Sequence, residues 1–339
     1  MLIDTGPLQF HWLQLWLPHV HASAAWLDVG IFMDTRGVGE FLCVLVISLL
    51  AHVYLLSLLK APEIRSTFFA WCDITVLSLL LAVISPNLMQ WYACLAIASA
   101  SAWFMLNTVW RAPHEHNAWK WIIAPILSDA FFLMGIFIVI LHFGTAGLSI
   151  IANNSYPPGT GSNFESKPIS DGLGWYDCMG LCFVAGALGR AALFPFHTWL
   201  MRLAPAASPV IAIFAPSAVI ACGPFLLFRM SPLFSSNVEL AILLCGNLSI
   251  LIGSLTALVQ TNIKQVVFSI MIAQTGVCFV LLGSGAMDLA LAAGIVMAIA
   301  VTGMLFTTGA VLASTQGRDD LRTMGGLWRS LPITALTSL

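Results

Sequence analysis

Charge is what this chain lacks. Of 339 residues, 13 are Lys or Arg and 15 are Asp or Glu, so charged residues make up 8% of the total. A soluble globular chain carries roughly a quarter. Hydrophobic residues reach 59%. A core of this size could not hide so much apolar surface from water, so lipid must be the solvent. A soluble enzyme, a nucleic-acid binder and a disordered scaffold are thereby excluded. A formal net charge of -2 offers nothing to a polyanionic partner.

Recognisable chemistry is also scarce. There is no phosphate loop, dinucleotide fingerprint or nucleophile elbow. Gly172-Leu-Gly174 opens a membrane span and not a βαβ unit. Eight Cys are scattered through apolar stretches and read as small core hydrophobes, not a disulfide framework. Cys178 and Cys182 share a helical face, a spacing that suits packing and not an iron–sulfur or zinc site. The close His pairs, His19/His21 and His114/His116, read as interfacial and loop residues. Neither a metal nor a cofactor is expected in this chain. The first residues lack a basic n-region, and the apolar stretch from Trp12 to Trp16 is followed by Pro18, His19 and His21, so no cleavable signal peptide is expected.

What is present is long apolar runs. A window of roughly 19 residues finds about nine candidate helices. They run near 39–59, 66–85, 87–110, 118–142, 173–203, 207–229, 238–259, 264–284 and 288–313, and a tenth begins at Pro332. A β-barrel needs alternating strands of roughly 10 residues, and these runs are about twice that length without alternation. The expected fold is an all-α polytopic bundle of about nine or ten spans. Its parts are an N-terminal interfacial segment at 1–38, four spans at 39–142, and an external loop at 143–172. A broken helix with the remaining spans follows at 173–313, and a cytoplasmic loop leads into a further span at 314–339.

Lys and Arg set the orientation. One side receives Lys60, Arg65, Arg111, Lys120, Arg202, Lys264, Arg318, Arg322 and Arg329, and the other receives Arg36, Lys167 and Arg229. The first side is expected to be cytoplasmic, with the N-terminus outside.

Ionisable residues inside the membrane cost roughly 2.5–3.5 kcal/mol each on insertion scales and are functional candidates by default. Four stand out: His52, Asp73, Asp129 and Arg190. Arg190 sits among Gly186, Gly189 and several alanines, with Pro195 beyond it. Small residues let backbones approach, and the proline breaks the helix. A cation at a helix break is a construction of transporter ion sites. A structural ion pair with Asp129 or Asp73 is the other reading, because Arg does not readily release a proton. Asp129 is either that partner or a protonatable relay site. Asp73 lies nearer the cytoplasmic end of its span, where water can reach it. His52 is a proton shuttle or a hydrogen-bonded packing residue. Lys264, at a helix start, reads from its position alone as an interfacial lysine.

Three stretches together carry a resemblance. They are Gly186-Ala-Leu-Gly-Arg-Ala-Ala-Leu-Phe-Pro-Phe-His-Thr-Trp-Leu200 with Ala207-Ser-Pro-Val210, Thr261-Asn-Ile-Lys-Gln-Val-Val-Phe-Ser269 with Gln274-Thr-Gly276, and Met324-Gly-Gly-Leu-Trp-Arg-Ser-Leu-Pro332. Over roughly residues 28–339 the chain resembles antiporter-like membrane subunits. These include subunit 5 of NADH dehydrogenase (respiratory complex I), Mrp-type sodium/proton antiporter subunits, and the membrane partner in inorganic-carbon uptake. The resemblance implies a bundle of about fourteen helices with two inverted five-helix repeats, each holding a broken helix. It makes Lys264 the buried central lysine, sets Asp129 in register, and puts Arg190 at the broken-helix lysine.

It also marks departures. The family's channel glutamate falls at Ala96. Its later histidines and lysine fall near Ala215, Met297 and Val301. A relay with these titratable sites removed is expected to conduct protons poorly by the family mechanism.

The resemblance leaves three functions open. One is a subunit of a proton-translocating, complex I-like oxidoreductase whose partners carry FMN and iron–sulfur clusters. Another is the membrane half of a cation-gradient-driven bicarbonate/CO2 uptake system with a large soluble zinc-containing partner in the cytoplasm. The third is a structural adaptor without transport. All three expect other membrane subunits as partners. The Ala-rich composition suits a bacterial inner membrane better than a mitochondrial one.

Overall fold

The computed structural model describes residues 8–15, 27–58, 62–109, 123–143, 146–148, 168–170, 173–206 and 223–326, with 208, 210–213, 215, 219 and 334. Helices dominate, as the apolar runs predict. α1 (Thr35–Leu58), α2 (Pro62–Val83), α3 (Leu88–Val109) and α4 (Ile123–Phe143) come first. α5 (Trp175–Arg190) is followed by a single turn, α6 (Thr198–Met201). Then come α7 (Pro224–Met230), α8 (Ser236–Val259), α9 (Ile263–Gly283) and α10 (Met287–Ser314).

Seven of these, α1–α4 and α8–α10, are long and apolar enough to cross a bilayer. The shortest such stretch has 19 residues and rises about 28 Å. The stretch 173–203 is divided into α5 and α6, and α7 is only seven residues long. The start of a tenth span at Pro332, His19/His21 and His114/His116 lie outside the described residues, as does most of the loop 143–172.

The N-terminal segment departs from a purely helical reading. β1 (Leu8–Leu15) and β2 (Leu27–Met33) form an antiparallel pair, Leu8 opposite Met33 and Leu15 opposite Leu27. Leu27, Val29, Ile31 and Met33 alternate at the strand period, a signal too short to stand out beside the helical runs. Gly30 exchanges two 3.0 Å hydrogen bonds with the Gln90 side chain, and Phe32 N–H donates to Ile84 O at 2.8 Å. This strand is thereby tied to the α2–α3 connection. β3 (Pro168–Ser170) and β4 (Leu173–Gly174) form a second short pair just before α5.

Glycines set how the helices pack. α8 and α9 run antiparallel with backbones in contact. A Cβ on Gly246 would lie 2.9 Å from Gly276 O, and one on Gly276 would lie 2.8 Å from Gly246 O. Seven residues along, Gly253 faces Ser269 O at 2.8 Å, and Gly283 faces Glu239 O at 2.9 Å. The three contacts share one antiparallel register, with glycine on the tight side each time. Close backbone approach of this kind holds helices together where lipid removes the hydrophobic drive. The other face of α8 exposes Leu240, Leu244, Leu248, Leu251 and Leu255 at helical spacing. α4 and α5 meet the same way at Gly186 and Gly189.

Candidate ion-pathway site

The functional side chains are placed by the break after α5. Pro195 cannot continue a helix, and the residue before a proline is biased out of the α region. The peptide Phe194–Pro195 is cis, and Ala192 has a positive φ of 54°. Irregular backbone at membrane depth survives only where protein satisfies its polar groups. Trp199 Nε1 donates to Gly189 O at 2.8 Å, and Phe194 N–H donates to the buried Ser249 hydroxyl on α8 at 3.1 Å.

Arg190, the last residue of α5, points into this packing with its side chain 7% exposed. Its Nε and Nη2 donate side-on to the two Asp129 carboxylate oxygens at 2.6 and 2.5 Å. Nη1 donates to Ser99 Oγ at 2.5 Å, and Nη2 also lies 3.4 Å from Leu95 O. Three helices therefore converge on one guanidinium. Leu95 and Ser99 flank Ala96, where the resemblance expects a glutamate. The countercharge comes from α4 instead of α3.

Lys264 is also turned inward, 7% exposed. This differs from the interfacial placement read from its position alone. Asn262 caps α9, its carbonyl oxygen accepting from Lys264 N at 3.0 Å, and its amide donates to Asp319. The loop after α10 is bound to the same helix start through Ile263 N to Asp319 O (3.1 Å) and Leu321 N to Thr261 O (2.9 Å). So fixed, Lys264 Nζ donates to Ala204 O at 2.5 Å and Ala206 O at 2.8 Å. These carbonyls belong to the turn that follows α6. The two cations therefore stand at either end of the broken segment, one paired with a carboxylate and one with carbonyls.

His52 and Asp73 meet on a different face. His52 Nδ1 is 2.7 Å from Ser48 O, and Nε2 is 2.9 Å from Asp73 Oδ1. Nε2 is also 3.5 Å from Cys72 Sγ. The Asp73 side chain is 69% exposed near the midpoint of the apolar stretch Arg65–Val83.

Arg229 and Glu40 are among the buried charges that escaped the sequence reading. Arg229, counted there as a loop cation, is 8% exposed. It donates to Asp34 Oδ1 and Val83 O, both at 3.2 Å, and lies over the rings of Phe225 (4.8 Å), Phe32 (5.1 Å) and Trp91 (5.7 Å). Phe225, four residues earlier on α7, was the available signal. Arg36 pairs with Asp288 at 2.9 Å, and a cavity of about 250 Å³ lies among Asp34, Arg36, Phe228 and Arg229. Glu40 was missed because it falls at the start of a span, where an acid reads as a helix-end residue. Among the described residues no group of three or more His, Cys, Asp or Glu is arranged to hold a metal.

Comparisons agree with this architecture. "NADH-quinone oxidoreductase subunit L" of Pseudomonas aeruginosa is 25% identical over 89% of this chain and 48% of its own length. "NADH-ubiquinone oxidoreductase chain 5" of Trichophyton rubrum is 24% identical over 96% of the chain and 48% of its own length. The chain spans about half the length of the curated relatives it matches. The solved Mrp complex from Dietzia sp. DQ12-45-1b superposes with a TM-score of 0.78 at 20% identity, covering 98% of this chain and 35% of that one. The archaeal membrane-bound sulfane sulfur reductase also gives 0.78, at 17% identity, over 99% of this chain and 54% of that one. Residues 85–339 match the profile described as NADH:quinone oxidoreductase/Mrp antiporter, TM, so this multi-pass membrane chain belongs to that antiporter-like family.

Proposed function

We propose that the chain is an antiporter-like membrane subunit of a proton-translocating NADH–quinone oxidoreductase, with a reduced proton relay. The observation that carries this reading is the broken helix with buried cations at both ends, Arg190 and Lys264, in a chain whose relatives bear that name. Arg190 is held by Asp129 and Ser99 and serves as a fixed positive centre, because a guanidinium makes a poor proton relay. Lys264, neutralised by no carboxylate within hydrogen-bonding distance among the described residues, is the proton-carrying group. No redox group is assigned to this chain; FMN and iron–sulfur clusters belong to its partners.

Other membrane subunits are the expected neighbours. A carboxylate 69% exposed at mid-span is costly against lipid, and a partner helix over the His52–Asp73 face removes that cost. The location proposed is a bacterial cytoplasmic membrane. Mass spectrometry of proteins that co-purify with the tagged chain after gentle detergent extraction tests the reading. Flavin and iron–sulfur subunits are expected. A single large soluble zinc protein in their place would overturn it.

A further inference from the structure

Glu40 is completely buried, at 0% exposed. It is the sixth residue of α1, about 7.5 Å into the helix, beyond the first turn in which a carboxylate serves backbone N–H groups. Neither carboxylate oxygen has a hydrogen-bond partner among the described residues. Its burial is complete within this chain, so no partner subunit is needed to enclose it.

Among the described residues no countercharge is in contact with Glu40. Arg36, one turn earlier on α1, is engaged with Asp288 of α10. Cys43 follows three residues further along α1, and Cys278 of α9 lies within electrostatic range of Glu40. From α10, Ile295 packs beside the adjacent Gly39. An ionised carboxylate with neither donor nor cation is costly in such an enclosure, whereas the neutral acid carries no charge to solvate. A metal cation would need several oxygen ligands, and no cluster of three acidic, His or Cys side chains is found among the described residues.

We infer that Glu40 is a proton-binding site inside the bundle, formed where α1 passes α9 and α10 and lying one turn below the Arg36–Asp288 pair. The site holds the proton on the carboxyl group and releases it only when water or a base reaches the enclosure. Glu40 itself is on α1, which carries neither Arg190 nor Lys264. The site stands independently of the oxidoreductase reading, because a proton can be bound here whichever complex the chain joins.

Infrared spectroscopy of the complex in lipid tests this at pH 7, as a wild type minus Glu40→Gln difference. The wild type is expected to show the carbonyl stretch of a neutral carboxylic acid that Glu40→Gln lacks, shifting on transfer to D2O. A carboxylate stretch in its place, or no band of either acid form that responds to D2O, would overturn the inference. Glu40→Gln is nearly isosteric with the neutral acid and should leave the unfolding temperature unchanged. A large loss of stability in Glu40→Gln, restored by Glu40→Asp, would mean that an ionised carboxylate is required and would also overturn it. The co-purifying subunits report separately on the oxidoreductase reading.

Discussion

The Ser128 hydroxyl occupies the space that a Cβ on Gly189 would fill. This contact lets α5 approach α4 closely enough for the next residue, Arg190, to close side-on over Asp129. Small residues beside a membrane cation are thus a geometric requirement of the pair.

Gly189→Ala should therefore destabilise the bundle by about 1–3 kcal/mol, the cost of overpacking a tight interface. Ser128→Gly in the same chain should recover part of it. Thermal unfolding in detergent of the two single variants and the double variant measures the effect.

Removing one partner of a buried ion pair leaves an uncompensated charge, typically costing about 3–5 kcal/mol. Asp129→Ala should fall in that range. The double variant Asp129→Ala/Arg190→Met should be less destabilised than Asp129→Ala alone, because it buries no charge. A double-mutant cycle on unfolding free energy gives the coupling.

The α8–α9 seam predicts a different sensitivity. Gly276→Val places carbon atoms against Gly246 O and Ile250. It should separate the helices, lowering stability and the yield of folded protein. Gly303→Ala, with open space around it, should do neither. Detergent-solubilised yield and unfolding temperature compare the pair.

Much of this architecture is legible from sequence alone. The apolar runs mark the long helices, and Pro195 marks the break, because helix length and proline geometry are local properties. The pairing of Arg190 with Asp129 instead of Asp73 is not local: it depends on which helices the glycines bring together. Lys264 looks interfacial by position, and only the turn at Ala204–Ala206 supplies the carbonyls that draw it inward. Glu40 and Arg229 sit near helix ends, where charges are ordinary. Their burial comes from tertiary packing in one case and from an aromatic cage in the other.

Lys264 should also show a stability cost that is separable from its function. Lys264→Met leaves the Ala204 and Ala206 carbonyls without their donor, costing about 1–3 kcal/mol. Lys264→Arg keeps the charge but demands a planar fork where a compact ammonium fits, so it should restore less than full stability. Unfolding temperatures of the three forms rank them.

The most direct test of the account is the ratio of protons moved to electrons transferred, measured by NADH-driven acidification of inside-out vesicles carrying the assembled complex. With assembly and quinone reduction matched, Lys264→Met is predicted to lower that ratio below wild type. An unchanged ratio in the fully assembled Lys264→Met complex would contradict a proton-carrying role and leave the chain as a structural module.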